Sequence, residues 1–283
     1  MMVEEIPLVF ECQGAALIGI VHRPTTPATR GILSVVAGGP QYRVGCCRQL
    51  VYMARSLAES GIPVMRFDYR GMGDSSGPFR GFQHVEEDFG AALQAFTEAV
   101  PGLKEVVLWG GCDAASAILI HAHRHPIVIG MILGNPFAHS EETRAAVERH
   151  YYLNRLRDKV FWKKVFTLRF NPLPAFRSVT RSFGVQRTHI PSENKAAEKN
   201  VPFTTRMLDG LKLFRGRILL MMSGQSLTAL EFDELTEGSP EWRKALKAAE
   251  IERVDIADAD QVFSTIEARD KTIVAARAWL SKF

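Results

Sequence analysis

Short apolar runs alternate with amphipathic stretches over the first 137 residues of the chain. Pro7–Cys12 and Ala15–Val21 read as two strands joined at Gly14, a hairpin. Gly31–Ala37 is a third strand, running into Gly38-Gly39-Pro40, and Pro63–Phe67, Glu105–Trp109 and Ile127–Leu133 are three more. Between them lie stretches with helical spacing: Arg48–Ser60, with Leu50, Met53, Ala54, Leu57 and Ala58 on one face, then Val85–Val100 and Ala114–His121. Strands alternating with helices predict a mostly parallel sheet, right-handed crossovers and helices on both faces, an α/β fold.

The pattern changes after residue 137. Glu141–Arg217 holds 17 Lys+Arg against 7 Asp+Glu, a local net charge of +10, so the rest of a chain whose total is +4 carries −6. Helical runs (Thr143–Arg157, Val160–Phe170) are followed by a polar stretch, Gln186–Asn200, that reads as loop. The alternation resumes with a strand at Ile218–Met222, a helix around Pro240–Ala249, a strand at Ile251–Ile256 and a closing helix at Thr265–Leu280. The expected organisation is a core of residues 1–137 and 214–283, interrupted by a basic helical cap over 138–213. From Tyr151 to Phe166 the cap mixes aromatics with cations, as a helix in peripheral contact with a membrane would. The same charge suits an anionic substrate, and the simplest reading is a lid with a solvated polar face.

Composition narrows the class. With 283 residues, 46% hydrophobic and 23% charged, the chain is an ordinary folded protein, and +4 is too mild to suggest a nucleic-acid partner. Its cysteines (Cys12, Cys46, Cys47, Cys112) include an adjacent pair and no CxxC spacing, which argues against a disulfide framework or a zinc ribbon. The start carries Glu4, Glu5 and Glu11 without a basic n-region, so no signal peptide is expected. The most apolar stretch, Ala114–Phe137, is broken by His121, His123, Arg124, His125 and Pro126, against a membrane span. The cytoplasm is the expected location.

One segment carries chemistry. Val106-Val107-Leu108-Trp109-Gly110-Gly111-Cys112-Asp113-Ala114 is an apolar strand entering a helix through G-x-C-x-A, a variant of the G-x-S-x-G nucleophile elbow. A nucleophile strained between strand and helix needs small residues two before and two after it, which Gly110 and Ala114 supply. The helix N-terminus is expected to favour a Cys112 thiolate and to offer backbone N–H groups to an oxyanion. The expected oxyanion donors are the N–H of Asp113 and one from the Gly39–Gln41 segment. The bland alternative is a buried structural cysteine at a tight turn.

Asp68-Tyr69-Arg70-Gly71-Met72-Gly73-Asp74-Ser75 is similar to the loop after the fourth strand of many α/β-hydrolases, and Gly38-Gly39-Pro40 stands where such enzymes place an oxyanion loop. A dinucleotide fingerprint fails, since the third glycine falls at Gly77 and not at 76. His121-x-His123-x-His125 invites a metal, but only His121 and His125 share a helix face and no carboxylate is near in sequence. Neither a metal nor another cofactor is expected.

Several motifs together resemble one family, the first of the two hydrolases associated with exosortase A systems. They are Gly39-Pro40-Gln41-Tyr42-Arg43-Val44-Gly45, Arg66-Phe67-Asp68-Tyr69-Arg70-Gly71-Met72-Gly73-Asp74, Trp109-Gly110-x-Cys112-Asp113, His150-Tyr151-Tyr152-Leu153, Ser223-Gly224-x-x-Leu227-Thr228-Ala229-x-Glu231-Phe232 and Gly238-Ser239-Pro240-x-Trp242-Arg243. The resemblance runs from about Leu17 to the C-terminus. It implies a capped α/β-hydrolase with a sheet of about eight strands, a cysteine nucleophile matching Cys112, and a link to exopolysaccharide production. It also implies an acid in S-G-x-D and a base in A-D-H-x-F-S. This chain departs from both, with Ser226 in the acid position and Gln261 in the base position. All eight histidines lie at or before His189, so no histidine follows in the usual nucleophile–acid–base order. His139 is the best substitute base, with Glu231, Asp233, Asp258 or Asp260 as substitute acid.

Two functions follow as expectations. The first is an ester or thioester hydrolase or acyltransferase, slowed by its incomplete triad, acting on a small-molecule or lipid- or sugar-linked acyl substrate. The second is a catalytically impaired homologue that binds a ligand or a protein partner.

Overall fold

The computed structural model describes residues 3–36, 42–139 and 201–283. Eight strands form one sheet in the order β1-β2-β4-β3-β5-β6-β7-β8: β1 Val3–Cys12, β2 Ala15–Pro24, β3 Arg30–Ser34, β4 Val64–Asp68, β5 Glu105–Gly111, β6 Val128–Gly134, β7 Arg217–Ser223 and β8 Ile251–Ile256. The expected hairpin is β1–β2, antiparallel and in full register from Val3↔Pro24 to Cys12↔Ala15. Gln13 and Gly14 turn it with positive φ at both positions (54° and 78°), the backbone a two-residue hairpin with right-handed twist requires. β2 also pairs antiparallel with β4, and every later pairing is parallel. This is the α/β-hydrolase fold.

The described helices are α1 Gln49–Glu59, α2 Glu86–Ala99, α3 Asp113–His121, α4 Phe203–Leu213, α5 Leu227–Gly238, α6 Pro240–Ala248 and α7 Ile266–Leu280. All five residues of β4 and six of the seven in β7 are buried, as strands covered by helices on both faces must be. Phe67, Phe89, Phe96, Leu33, Leu108, Ile118 and Met131 are fully buried at the centre. No helix among the described residues is long and apolar enough to cross a membrane.

Two helices escaped the hydrophobic pattern. α5 follows β7 directly, and α4 falls inside the stretch assigned to the cap. The compact unit that holds the sheet comprises residues up to Thr143 and from Pro202 onward, so α4 belongs with it. The reason is a close backbone approach: a Cβ at Gly210 of α4 would stand 2.0 Å from the Leu119 carbonyl of α3. The remainder of the expected cap lies outside the described residues.

The loop after β4 is built as a brace. Asp68, fully buried, accepts the backbone N–H and the guanidinium of Arg43, and its carbonyl accepts Ser75 Oγ at 2.6 Å. Arg70 grips buried Asp88 through its side chain (Nη2–Oδ2 2.7 Å) and its backbone N–H (2.8 Å). At Gly71 (φ 74°) a Cβ would meet the Phe79 nitrogen at 2.3 Å, so only glycine fits. The loop, which lacks a dinucleotide fingerprint, is thus anchored at the end of β4 by the Arg43–Asp68 and Arg70–Asp88 ion pairs.

Candidate active site

Cys112 stands between β5 and α3 with φ 54° and ψ −125°, a strained conformation that L-residues rarely adopt. Its N–H donates to the Gly134 carbonyl (2.8 Å), and its carbonyl accepts the Phe137 N–H (3.1 Å) and the Ser116 N–H (3.2 Å), while Ser116 Oγ donates to the Phe137 carbonyl (2.7 Å). The demand for small neighbours is visible in distances. A Cβ at Gly110 would approach Ile118 Cδ1 to 2.7 Å and the Ala114 backbone to 2.9 Å, while Ala114 itself is buried.

The thiol faces a cavity of about 410 Å³ whose walls include Val35, Leu50, Phe82, Trp109, Ile132, Phe137 and Met221, with Gln49, Cys112, Asp113, Gln261 and Thr272 as polar members. Burial pushes the Cys112 thiol above its ordinary pKa, and the neighbouring Asp113 carboxylate and, more weakly, Glu231 add to this. The Asp113 backbone N–H and the Gln261 amide pull the other way without winning. The expectation of a thiolate favoured by the helix N-terminus is thereby corrected. Desolvation, with an anionic side chain on the first residue of α3, outweighs the partial positive charge of the helix end. The Asp113 N–H does reach the sulfur, as an oxyanion donor at the elbow should. Its expected partners, Gly39 and Gln41, lie outside the described residues.

The two positions where the resemblance implies an acid and a base, Ser226 and Gln261, lie against each other. Ser226, after β7, caps α5 by accepting the Ala229 N–H (3.1 Å) and donates to Gln261 Oε1. Gln261, after β8, lines the cavity beside Cys112, and its buried Nε2 makes no hydrogen bond of ordinary geometry. A residue that the sequence reading passed over fixes this loop. Buried Asn135 (φ 44°) at the end of β6 donates Nδ2 to Ser223 Oγ (2.7 Å) and to the Gln261 carbonyl (2.9 Å), and its Oδ1 accepts the Ser223 N–H (2.8 Å). The signal was the Gly134-Asn135-Pro136 punctuation at a strand end, since Asn is among the few non-glycine residues at ease with positive φ.

The substitutes separate. His139 Nδ1 pairs with Glu231 Oε1 at 2.7 Å, and its ring stacks on Phe137 at 6.3 Å; half-exposed, it is not among the described residues that wall the cavity. Asp233 is engaged by Arg253 (2.7 Å), Asp260 holds Ser264, and Asp258 is exposed. Of the three clustered histidines, His121 ends α3 and His123 falls in a separate short 3₁₀ turn. His121 is buried with Nε2 on the Gln83 carbonyl (3.1 Å), and burial lowers its pKa to about 4. Among the described residues no cluster of three or more His, Cys, Asp or Glu is placed to hold a metal.

Comparison with known proteins agrees with this fold. The pattern of the family described as serine aminopeptidase, S33, matches residues 30–195. The chain is similar in fold to an esterase from Pyrococcus furiosus (TM-score 0.66, 14% identity, covering 99% of this chain and 92% of that one). It is also similar to an acylaminoacyl peptidase from Pyrococcus horikoshii (TM-score 0.62, 13% identity, 99% and 41%) and to an α/β serine hydrolase homologue from Coxiella burnetii (TM-score 0.57, 15% identity, 97% and 98%). No curated protein matches the sequence.

Proposed function

The chain belongs to the serine aminopeptidase S33 family of α/β-hydrolases, and on that premise we propose that it is an acyl-transfer enzyme acting on esters or thioesters, with Cys112 as nucleophile. The observation that carries this reading is the strained Cys112 backbone, which presents the thiol at a 410 Å³ apolar cavity beside the Asp113 N–H. That volume lies within the range of about 300–1,000 Å³ typical of small-molecule sites. Thiols tolerate a missing base better than hydroxyls do, because a cysteine is already a few per cent thiolate near neutrality. The raised Cys112 pKa lowers that share here, so turnover is slow. The resemblance to exosortase-associated hydrolases supports a lipid- or sugar-linked acyl donor of exopolysaccharide production. The basic segment after residue 140 then supplies contact with an anionic substrate or a membrane surface.

The test is a panel of activated esters with the native chain and Cys112→Ala. The native chain is expected to release product and the variant to fall to the uncatalysed rate; equal rates would sink the proposal. A second reading, a ligand-binding homologue without turnover, draws support from the Ser226–Gln261 pair, which has no proton acceptor. Saturable binding of an acyl ligand by both proteins, with no product from either, would favour it.

A further inference from the structure

In a working triad the base takes a proton from the nucleophile and later from the attacking water. Here the hydrogen bonds around Gln261 fix which end of its amide faces the sulfur. Ser226 Oγ accepts the Ala229 N–H and donates its own proton to Gln261 Oε1. That leaves Nε2, buried and unpartnered, on the side of Cys112, where the amide favours a negatively charged sulfur. A carboxamide nitrogen is a donor only and takes no proton at neutral pH. The position that should accept a proton has become a hydrogen-bond donor, with Ser226 on its amide oxygen and Asn135 on its backbone carbonyl. The remaining titratable group on the described wall is Asp113. A carboxylate, with a reference pKa of about 3.9 against about 6.5 for imidazole, is the poorer base for activating water near neutrality.

Receiving an acyl group and releasing it to water make different demands. Acylation of Cys112 by a thioester R–CO–S–R′ forms one C–S bond and breaks another, and the thiol proton leaves with R′–SH, so no net base is consumed. Hydrolysis of Cys112–S–CO–R needs a proton taken from water, and the cavity walls are apolar around it. We propose that Cys112 holds a water-stable acyl group, donated by esters or thioesters of apolar acyl chains, with Gln261 donating a hydrogen bond at the acyl sulfur or oxygen. The group leaves to a nucleophile stronger than water. An amine or thiol H–X forms the new C–X bond, the C–S bond breaks, and the acceptor's proton returns to the Cys112 sulfur. This inference rests on the Cys112 reading above and adds to it the acyl class and the fate of the intermediate.

The probes are p-nitrophenyl octanoate and p-nitrophenyl acetate, with intact-protein and peptide mass spectrometry on quenched samples. The expected result is a burst of about one nitrophenol per chain and one octanoyl group on Cys112 that persists in buffer. Hydroxylamine or cysteamine then removes it. Octanoate should acylate faster than acetate, by up to about fourfold for each methylene that becomes fully buried. Ser226→Asp with Gln261→His should shorten the adduct's lifetime in water by roughly 10²-fold, the lower end of what a general base contributes. Gln261→Ala, which adds no proton acceptor, should slow acylation and leave the lifetime in water long, so the inference stays testable if the double variant does not fold. Steady turnover that depends on Cys112 but shows no adduct would overturn the stable acyl group and leave the nucleophile standing. Absence of both adduct and Cys112-dependent product would overturn the two together.

Discussion

The two halves of the site keep different parts of the hydrolase design. At the elbow between β5 and α3 the described backbone features keep the shape that the hydrolase turn requires. Cys112 has its strained dihedrals, Gly110 leaves the space that Ile118 and Ala114 fill, and the Asp113 N–H meets the sulfur. After β7 and β8 the placement is intact but the chemistry is not. Ser226 and Gln261 are hydrogen-bonded to each other beside Cys112, and neither exchanges a proton near neutrality. Geometry and protonation chemistry are therefore separable in this fold. The loops that bring the three positions together are fixed by main-chain bonds and by Asn135, so side chains at their tips can change without the loops moving.

That contrast can be broken from either side. The largest effect is expected at the elbow. Gly110→Val forces a side chain against Ile118 and the α3 backbone, which should cost about 1–3 kcal/mol of stability and misplace the thiol. Denaturant unfolding together with labelling of Cys112 checks both, and a stable, fully reactive variant would show that the tight approach is unimportant. Next comes Asn135→Ala, which strips the Ser223 N–H of its acceptor and frees the Gln261 carbonyl. Leaving a buried donor unsatisfied costs about 1–3 kcal/mol. Acylation should slow with it because Gln261 is no longer held, and a purely structural role would lower the melting temperature without touching acylation of the folded fraction. The smallest effect is expected at His139. Paired with Glu231 and outside the described cavity wall, its replacement by alanine should leave both acylation and adduct lifetime within about twofold, well below the roughly 10²-fold or more that a general base contributes. A large loss would make His139 the substitute base and would end the contrast between a complete elbow and an inert acid–base side.

Much of the fold was legible because its determinants are local. The Gln13-Gly14 hairpin, the apolar runs of β3 to β8 and the helical spacing of α1 and α2 each carry their own signal, and strand–helix alternation fixes parallel pairing. The elbow was legible for the same reason, since a steric demand over five residues writes itself as small residues at two positions. α4 was assigned to the wrong neighbour because its partner, the Leu119 carbonyl, lies far away in sequence and only Gly210 betrays the approach. The sense of the Cys112 pKa shift was misread because helix-end charge is visible in a sequence, whereas depth of burial is not. The positions of Ser226 and Gln261 came through resemblance. That they touch, and that Gln261 turns its nitrogen to the sulfur, is tertiary information. Asn135 was passed over since nothing local links it to loops 88 and 126 residues further along.

The most direct measurement is the rate of Cys112 alkylation by iodoacetamide as a function of pH, read at the peptide by mass spectrometry. A raised thiol pKa means that the reactive thiolate is scarce at neutrality and that the rate climbs as pH rises through the folded-state value. The expected profile is a single step above pH ~8.5, the ordinary cysteine value, with no inflection at lower pH and the same shape in Gln261→Ala. An inflection near pH ~6.5, where imidazole titrates, would place a histidine on the sulfur and contradict a site in which Gln261 stands in place of the base.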